Sequence, residues 1–125
     1  MRKVILLFAV SMALSAGVRS AEELSVDLMQ SIEDTNKSLS SNIALSNKQA
    51  ATADAKELTQ MFAQVETFFD HKGDAKNAVD LARQSKELST EIVGFVAVNN
   101  FESATTAATT LSRTCRTCHT FYKKE

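Results

Sequence analysis

Apolar residues recur every three or four positions in four stretches of the chain, with polar residues between them. The second stretch shows the repeat most clearly, in Leu58, Met61, Phe62, Val65, Phe68 and Phe69. This spacing is typical of amphipathic helices that bury one face against their neighbours. The pattern predicts helices at about Val26–Lys48, Asp54–Asp70, Ala75–Val98 and Asn100–Lys123.

Start and stop signals support the same four helices. Ser25 is a candidate N-cap for the first helix, and Gly73 suits the C-terminal end of the second. Asn99, followed three residues later by Glu102, resembles a capping box for the last helix. Because short connections make consecutive helices antiparallel neighbours, the predicted fold class is all-α, an antiparallel up-down-up-down four-helix bundle.

The composition agrees with a helical domain. The chain has 125 residues, no Pro and only three Gly. Folds rich in β-turns and loops depend on Gly and Pro, so this composition argues against them. The length predicts one domain.

The N-terminal stretch has the organisation of a secretory signal peptide. Arg2 and Lys3 precede an apolar run, Val4–Leu14, that is too short for a comfortable membrane span. We predict cleavage after Ser20, because the mature chain then opens on the polar sequence AEELS. Cleavage after Ser15 fits the small-residue rule better, and an uncleaved anchor is the alternative. Residues 1–20 are therefore the predicted signal peptide, and residues 21–125 the predicted mature domain.

Removal of the signal peptide changes the charge of the protein. Residues 1–20 contain three basic residues and no acidic ones, so the formal charge goes from 14 − 15 = −1 to 11 − 15 = −4. A mildly acidic protein is a poor candidate for nucleic-acid binding. No other apolar run is long enough to span a membrane. The predicted product is exported, in bacteria to the periplasm, with no stable membrane insertion after cleavage.

Both cysteines of the chain and one of its two histidines stand together near its end, in SRTCRTCHTFYKKE. On a helix, Cys115, Cys118 and His119 project from one side, which continues the apolar stripe of the last helix. The spacing C-x-x-C-H is the signature of covalent haem attachment. In that chemistry two thiols form thioethers with the vinyl groups of one porphyrin, and the histidine ligates its iron.

Three other interpretations of the cluster remain open. Structural zinc takes four N or S ligands, and beyond the cluster the chain has only His71 and no further cysteine. A redox dithiol usually follows a strand and opens a helix, whereas this pair lies near a predicted helix end. A disulfide between residues three apart in one helix has poor geometry, which leaves two buried thiols as the structural alternative.

Together with the signal peptide and the four predicted helices, the sequence CRTCHTFYKK resembles the class II c-type cytochromes, the cytochrome c′ and c556 family. In architecture the resemblance covers the predicted mature chain, and in sequence it is specific in the last helix. It implies one covalently bound haem c between the helices, held through Cys115 and Cys118. It further implies that His119 is the proximal iron ligand and that the first helix covers the distal side.

Met29 is the main candidate for a distal axial ligand. It lies on the inward stripe near the start of the first helix, and in an up-down bundle that end lies near the end of the fourth helix. The alternative is that Met29 only packs against haem or core. Met61 is predicted to be a core residue, and His71 a solvent-facing loop residue rather than an iron ligand. Asn36 is predicted to be an inward polar residue that specifies helix register or hydrogen-bonds within the bundle.

The function expected from these features is single-electron transfer by a periplasmic haem protein, with redox proteins as partners. The alternative is a five-coordinate haem that binds nitric oxide or carbon monoxide. An enzyme is not expected, because no paired carboxylates or catalytic base form a recognisable constellation. Members of the resembled family often dimerise, so a homodimer is an expectation by analogy.

Overall fold

The computed structural model describes residues 24–122, with side chains through residue 121. The described residues form four helices, α1 (Val26–Ala44), α2 (Lys48–Lys72), α3 (Lys76–Ala97) and α4 (Phe101–Tyr122), and no strand. The predicted all-α class is confirmed, and the arrangement is consistent with a four-helix bundle. The predicted signal peptide lies outside the described residues.

The four helices share one apolar core. Its fully buried large side chains are Leu39, Leu58, Ile92, Val96 and Leu111. Many other buried positions on α3 and α4 are small, namely Ala78, Ala82, Ser85, Ser89, Ala104, Ala107 and Ala108. Small side chains allow the backbones of neighbouring helices to approach closely, because little volume separates them. The most extensive interface lies between α2 and α3, and the smallest of the four main interfaces lies between α1 and α4.

Polar contacts fix how α2 sits against α3. The Glu66 carboxylate of α2 accepts hydrogen bonds from Lys86 Nζ at 2.7 Å and Arg83 Nε at 3.2 Å, both on α3. Lys48 Nζ, at the start of α2, donates to the Ala97 carbonyl at the end of α3, 2.9 Å away. The Lys86 and Arg83 contacts lower the pKa of Glu66 below its usual value.

The α1–α2 turn uses a left-handed residue and an asparagine cap. Ser46 has φ 52°, and its N–H donates to the Ile43 carbonyl, while the Asn47 N–H donates to the Asn42 carbonyl. This is the Schellman arrangement, which satisfies the last carbonyls of a helix. The Asn47 side chain then accepts from the Ala50 N–H and caps α2.

The sequence prediction for this turn was wrong by several residues. The expected break covered residues 49–53, but α2 begins at Lys48, which the pattern had assigned to the first helix. Ala51 and Ala55 are fully buried on the core face of α2. Alanine carries little apolar signal although it is a strong helix former, so the first turns of α2 resembled a polar connection.

The α3–α4 turn repeats this design, with one residue of difference from the prediction. Asn99 has φ 58°, and its N–H donates to the Val96 carbonyl, while the Asn100 N–H donates to the Phe95 carbonyl. The side chain that caps α4 is Asn100, which accepts from the Ser103 N–H at 3.1 Å. The expected capping box beginning at Asn99 is therefore wrong, because Asn99 serves as the left-handed terminus of α3.

Two other predicted helix boundaries are confirmed. The Ser25 side chain accepts a hydrogen bond from the Leu28 N–H at the start of α1. Gly73 ends α2 with φ 78°, and its N–H donates to the Phe69 carbonyl. Glycine adopts this left-handed conformation without steric cost, which explains its place at the helix end.

Candidate functional site

The cysteine cluster lies in the last two turns of α4. Cys115 is half-buried and packs against the core, Cys118 is half-buried, and both are free thiols. The expectation that the cluster points into the bundle is therefore confirmed for Cys115 alone. His119, by contrast, is exposed. One turn of helix separates the two sulfurs in sequence, so both lie on the same side of α4.

Burial holds both thiols in their protonated form. It raises the pKa of Cys115 to about 11, with a further contribution from the neighbouring Cys118, and it raises the pKa of Cys118 as well. Reactive dithiols have a lowered pKa, because the thiolate is the nucleophile. These environments therefore argue against the redox-dithiol interpretation.

The structure also bears on the zinc interpretation. Within residues 24–121, no three or more His, Cys, Asp or Glu side chains are gathered so that they could hold a metal ion. Cys115, Cys118 and His119 do not converge on a common point. His71 is exposed in the last turn of α2, on the helix rather than in a loop. The protein groups described here thus do not form the tetrahedral site that structural zinc requires.

The predicted distal ligand, Met29, lies in the first turn of α1. It is half-buried and packs against the core, on the side of α1 that also buries Ile32. Met61 is only 6% exposed and belongs to the core, as predicted. Of these two methionines, Met29 is the one at the edge of the core.

A hydrogen bond joins α1 to α4 close to the thiols. Asn36 Nδ2 donates to Ser112 Oγ at 3.2 Å, and Ser112 lies three residues before Cys115. The predicted hydrogen bonding of Asn36 within the bundle is confirmed, and the sequence signal for it was a polar side chain on an apolar stripe. Its partner, Ser112, was not predicted, because sequence alone does not show which distant helices pack together. We call the region bounded by Met29, Asn36, Ser112 and Cys115 the α1–α4 seam.

The seam contains an unsatisfied polar atom. Asn36 Oδ1 is buried and has no hydrogen-bond partner among the described residues. A buried acceptor without a donor costs about 1–3 kcal/mol, and such groups normally find a protein, water or ligand partner. The α1–α4 seam is thus polar, little packed and incomplete in hydrogen bonding, beside two protonated thiols.

No helix among the described residues combines the length and the apolarity needed to cross a membrane.

Comparison of the chain with protein-family models, characterised proteins and solved structures gives no match in any of the three. The assignment of function therefore rests on the residues of the site itself.

Proposed function

We propose that the mature protein is a periplasmic monohaem c-type cytochrome of the class II type that transfers single electrons. Haem is attached through Cys115 and Cys118, and His119 is the proximal axial ligand of the iron. The observation that carries the proposal is the C-x-x-C-H sequence with both cysteines half-buried and unlinked on one side of α4. The domain comprises residues 21–125 after removal of the signal peptide.

The donor groups of the site fit a covalently bound porphyrin. Two free thiols on one side of a helix match two vinyl groups, and net addition of S–H across each vinyl group would give a thioether with no leaving group and no oxidant. The adjacent imidazole of His119 is exposed and therefore free to turn toward an iron. Haem would supply the single-electron couple between ferric and ferrous iron.

The proposed arrangement of the helices is antiparallel, up-down-up-down. The contact of Lys48 with Ala97 joins the start of α2 to the end of α3. Asp54, in the second turn of α2, accepts a hydrogen bond from Asn42 near the end of α1. Both contacts support antiparallel neighbours, as do the short turns between helices.

This arrangement makes Met29 the candidate for the distal axial position. The interhelical bond between Asn36 and Ser112 sets the register of α1 against α4. Met29 lies seven residues before Asn36, and His119 lies seven residues after Ser112. On antiparallel helices, both are then about 10 Å from the bond in the same direction, because a helix rises about 1.5 Å per residue. The thioether of Met29 thus lies level with His119.

The second candidate function is a five-coordinate haem protein that binds nitric oxide or carbon monoxide. The packing of Met29 against the core favours it, because a side chain already held by the core has an alternative to ligation. In both cases the chain acts as a binding and redox scaffold rather than an enzyme, and it acts outside the cytoplasm.

Optical spectra of the exported protein distinguish the two functions. With Met29 and His119 as axial ligands, ferric protein should be low-spin, with a weak far-red band from sulfur-to-iron charge transfer, and ferrous protein should bind carbon monoxide slowly. Met29→Ala should abolish the band, lower the potential and admit carbon monoxide. A high-spin wild-type protein that binds carbon monoxide readily would support the five-coordinate function, with Met29 as a packing residue.

A further inference from the structure

The charge of the mature chain is divided unevenly along the sequence. Residues 21–102 contain seven Lys and Arg against fourteen Asp and Glu, a formal charge of 7 − 14 = −7. Residues 103–124 contain four Lys and Arg and no acidic residue, a formal charge of +4. The basic part is the region that also carries both cysteines. A protein that is acidic overall thus concentrates positive charge at the proposed redox site.

Two of these cations lie on α4, in the stretch of sequence that carries the cysteines. Arg113 and Arg116 are both exposed, and in the described part of the chain neither forms an ion pair. On the other helices, Lys37, Arg83 and Lys86 each form a salt bridge with a carboxylate, whereas Lys56 and Lys72 form none among the described residues. The two arginines have no carboxylate near them on their own helix, because no acid follows Glu102 in α4.

The helix dipole does not account for both arginines. Cations stabilise the C-terminal end of a helix within about its last turn. Arg113 lies nine residues before Tyr122, the last residue of α4, and Arg116 lies six before it. Their charges are therefore available to an external group. Residues three apart on a helix are neighbours on its surface, so the two guanidinium groups form one basic face.

We propose that this basic face, Arg113 and Arg116, docks a protein that presents a carboxylate-rich surface. We further infer that this protein is the electron-transfer partner, an inference that rests on the proposed function. Arg116 lies three residues before His119, which is also exposed, so a partner on this face is positioned beside the proposed iron ligand rather than on the side of α4 that carries the cysteines. Opposite charges steer encounter and fix orientation more than they add affinity, which suits a transient redox contact.

A membrane surface and a second copy of this chain fit less well. Helices that lie in a membrane interface present an apolar face, whereas the exposed residues of α4 include many threonines, Thr105, Thr106, Thr109, Thr117 and Thr120. Among the described side chains of α4, Phe121 is the only large hydrophobic one that is exposed. A two-fold dimer formed through this face would set arginine against arginine.

Binding of poly-L-glutamate tests the docking surface without reference to haem. We would compare the exported wild-type protein with Arg113→Gln/Arg116→Gln and with Lys56→Gln/Lys72→Gln, a control of equal net charge. The control lysines are exposed, lie on α2 and form no salt bridge within the described residues. Wild-type protein should bind in a salt-sensitive manner, the arginine variant about tenfold more weakly, and the control within about threefold of wild type. Equal losses in both variants, or none in either, would overturn the proposal.

Two further probes test the other occupants. Vesicles containing anionic lipid should bind wild-type protein and the arginine variant equally weakly, and sedimentation should show no association that depends on the two arginines. Arginine-dependent binding to vesicles tighter than that to poly-L-glutamate would replace the protein partner by a lipid surface. Arginine-dependent self-association would replace it by a second copy of this chain.

The inference that the docked protein is the electron-transfer partner is tested with hexacyanoferrate(III). This small anion accepts one electron from ferrous protein and leaves ferric protein. A net charge of −4 predicts repulsion and a rate that rises with salt, whereas the basic face predicts attraction and a rate that falls with salt. Arg113→Gln/Arg116→Gln should remove the fall and the control should keep it. A rate of electron transfer that rises with salt in wild type would overturn the inference that the basic face serves electron transfer. Absence of haem would instead contradict the proposed function and leave the poly-L-glutamate result standing.

Discussion

The α2–α3 interface and the α1–α4 seam are built on different principles. The first is the most extensive helix contact in the molecule, and its polar groups are paired, with Glu66 held by Arg83 and Lys86. The second is the smallest of the four main contacts. There, Asn36 donates a hydrogen bond to Ser112 across the two helices, and the buried amide oxygen of Asn36 has no partner among residues 24–121.

This difference separates the scaffold from the site. The α2–α3 interface satisfies its polar groups with residues of the chain itself. The α1–α4 seam leaves an acceptor unsatisfied and two thiols half-buried, so an added group could complete it. If haem is attached at this seam, as proposed, the four helices should depend on it unequally, α1 most and α3 least.

Loss of the attachment residues should loosen α1 far more than α3. Cys115→Ala/Cys118→Ala cannot attach haem. In this variant, amide hydrogen exchange in the core-facing turns of α1 should be at least about a hundredfold faster than in the haem-loaded protein, because local opening of the seam then requires less free energy. Exchange in the middle of α2 and α3 should change much less. Uniform acceleration over all four helices would contradict the division between scaffold and seam.

Core substitutions should cost the scaffold more than the seam in the haem-free protein. Leu58 is fully buried on α2, so Leu58→Ala should lower the free energy of unfolding by about 3 kcal/mol. Asn36→Leu removes the unsatisfied oxygen and should be neutral or stabilising, whereas Ser112→Ala removes the partner of Asn36 Nδ2 and should cost about 1 kcal/mol. Urea unfolding measures all three, and a loss of several kcal/mol in Asn36→Leu would show that the amide is structural.

The thiols should give the haem-free protein a characteristic dependence on pH. The pKa of the Cys115 thiol is 9.0 when unperturbed, and burial raises it to about 11 in the folded chain. The contribution of Cys115 to the free energy of unfolding is therefore fully present below pH 9 and is lost as the pH rises toward 11, a decrease of about 2 kcal/mol. Urea unfolding across this range should show a smaller decrease in Cys115→Ala, which retains the raised pKa of Cys118, than in wild type. In haem-loaded protein both contributions should be absent, because a thioether does not ionise.

The smallest effect should come from the paired carboxylate of α2. Lys86 and Arg83 lower the pKa of Glu66 in the folded chain. The contribution of Glu66 to the free energy of unfolding is therefore fully present above pH 4.5 and is lost as the pH falls through the folded-state pKa. Glu66→Gln should cost about 0.5–1 kcal/mol at pH 7 and nothing in strong acid. Glu57→Gln, on the same helix and exposed, is the control and should leave the unfolding curve unchanged.

Much of the scaffold follows from the sequence, because amphipathic repeats and cap residues are local signals. The first turns of α2 were not predicted, because buried Ala51 and Ala55 carry little apolar signal. The cap of α4 lies one residue later than predicted, because Asn99 adopts the left-handed conformation that ends α3. The cysteine motif located the candidate site, but its surroundings depend on tertiary contacts. The bond from Asn36 to Ser112 joins residues 76 positions apart.

The total charge hides how charge is distributed along the chain. The formal charge of −4 over residues 21–125 conceals the +4 of residues 103–124. Sequence alone cannot show that Arg113 and Arg116 have no carboxylate partner among the described residues, because this depends on tertiary contacts. Exposure of His119 could not be predicted either, because the helical stripe assigns it to the inward side while its position near the end of α4 leaves it open to solvent.

The central claim is that one haem is bound covalently through Cys115 and Cys118. Intact mass of the denatured, acid-acetone-extracted exported protein tests it most directly. The account predicts a chain that begins at Ala21, carries the mass of one haem and resists thiol alkylation at both cysteines. A bare chain with two alkylatable thiols, or iron replaced by zinc in elemental analysis, would contradict it.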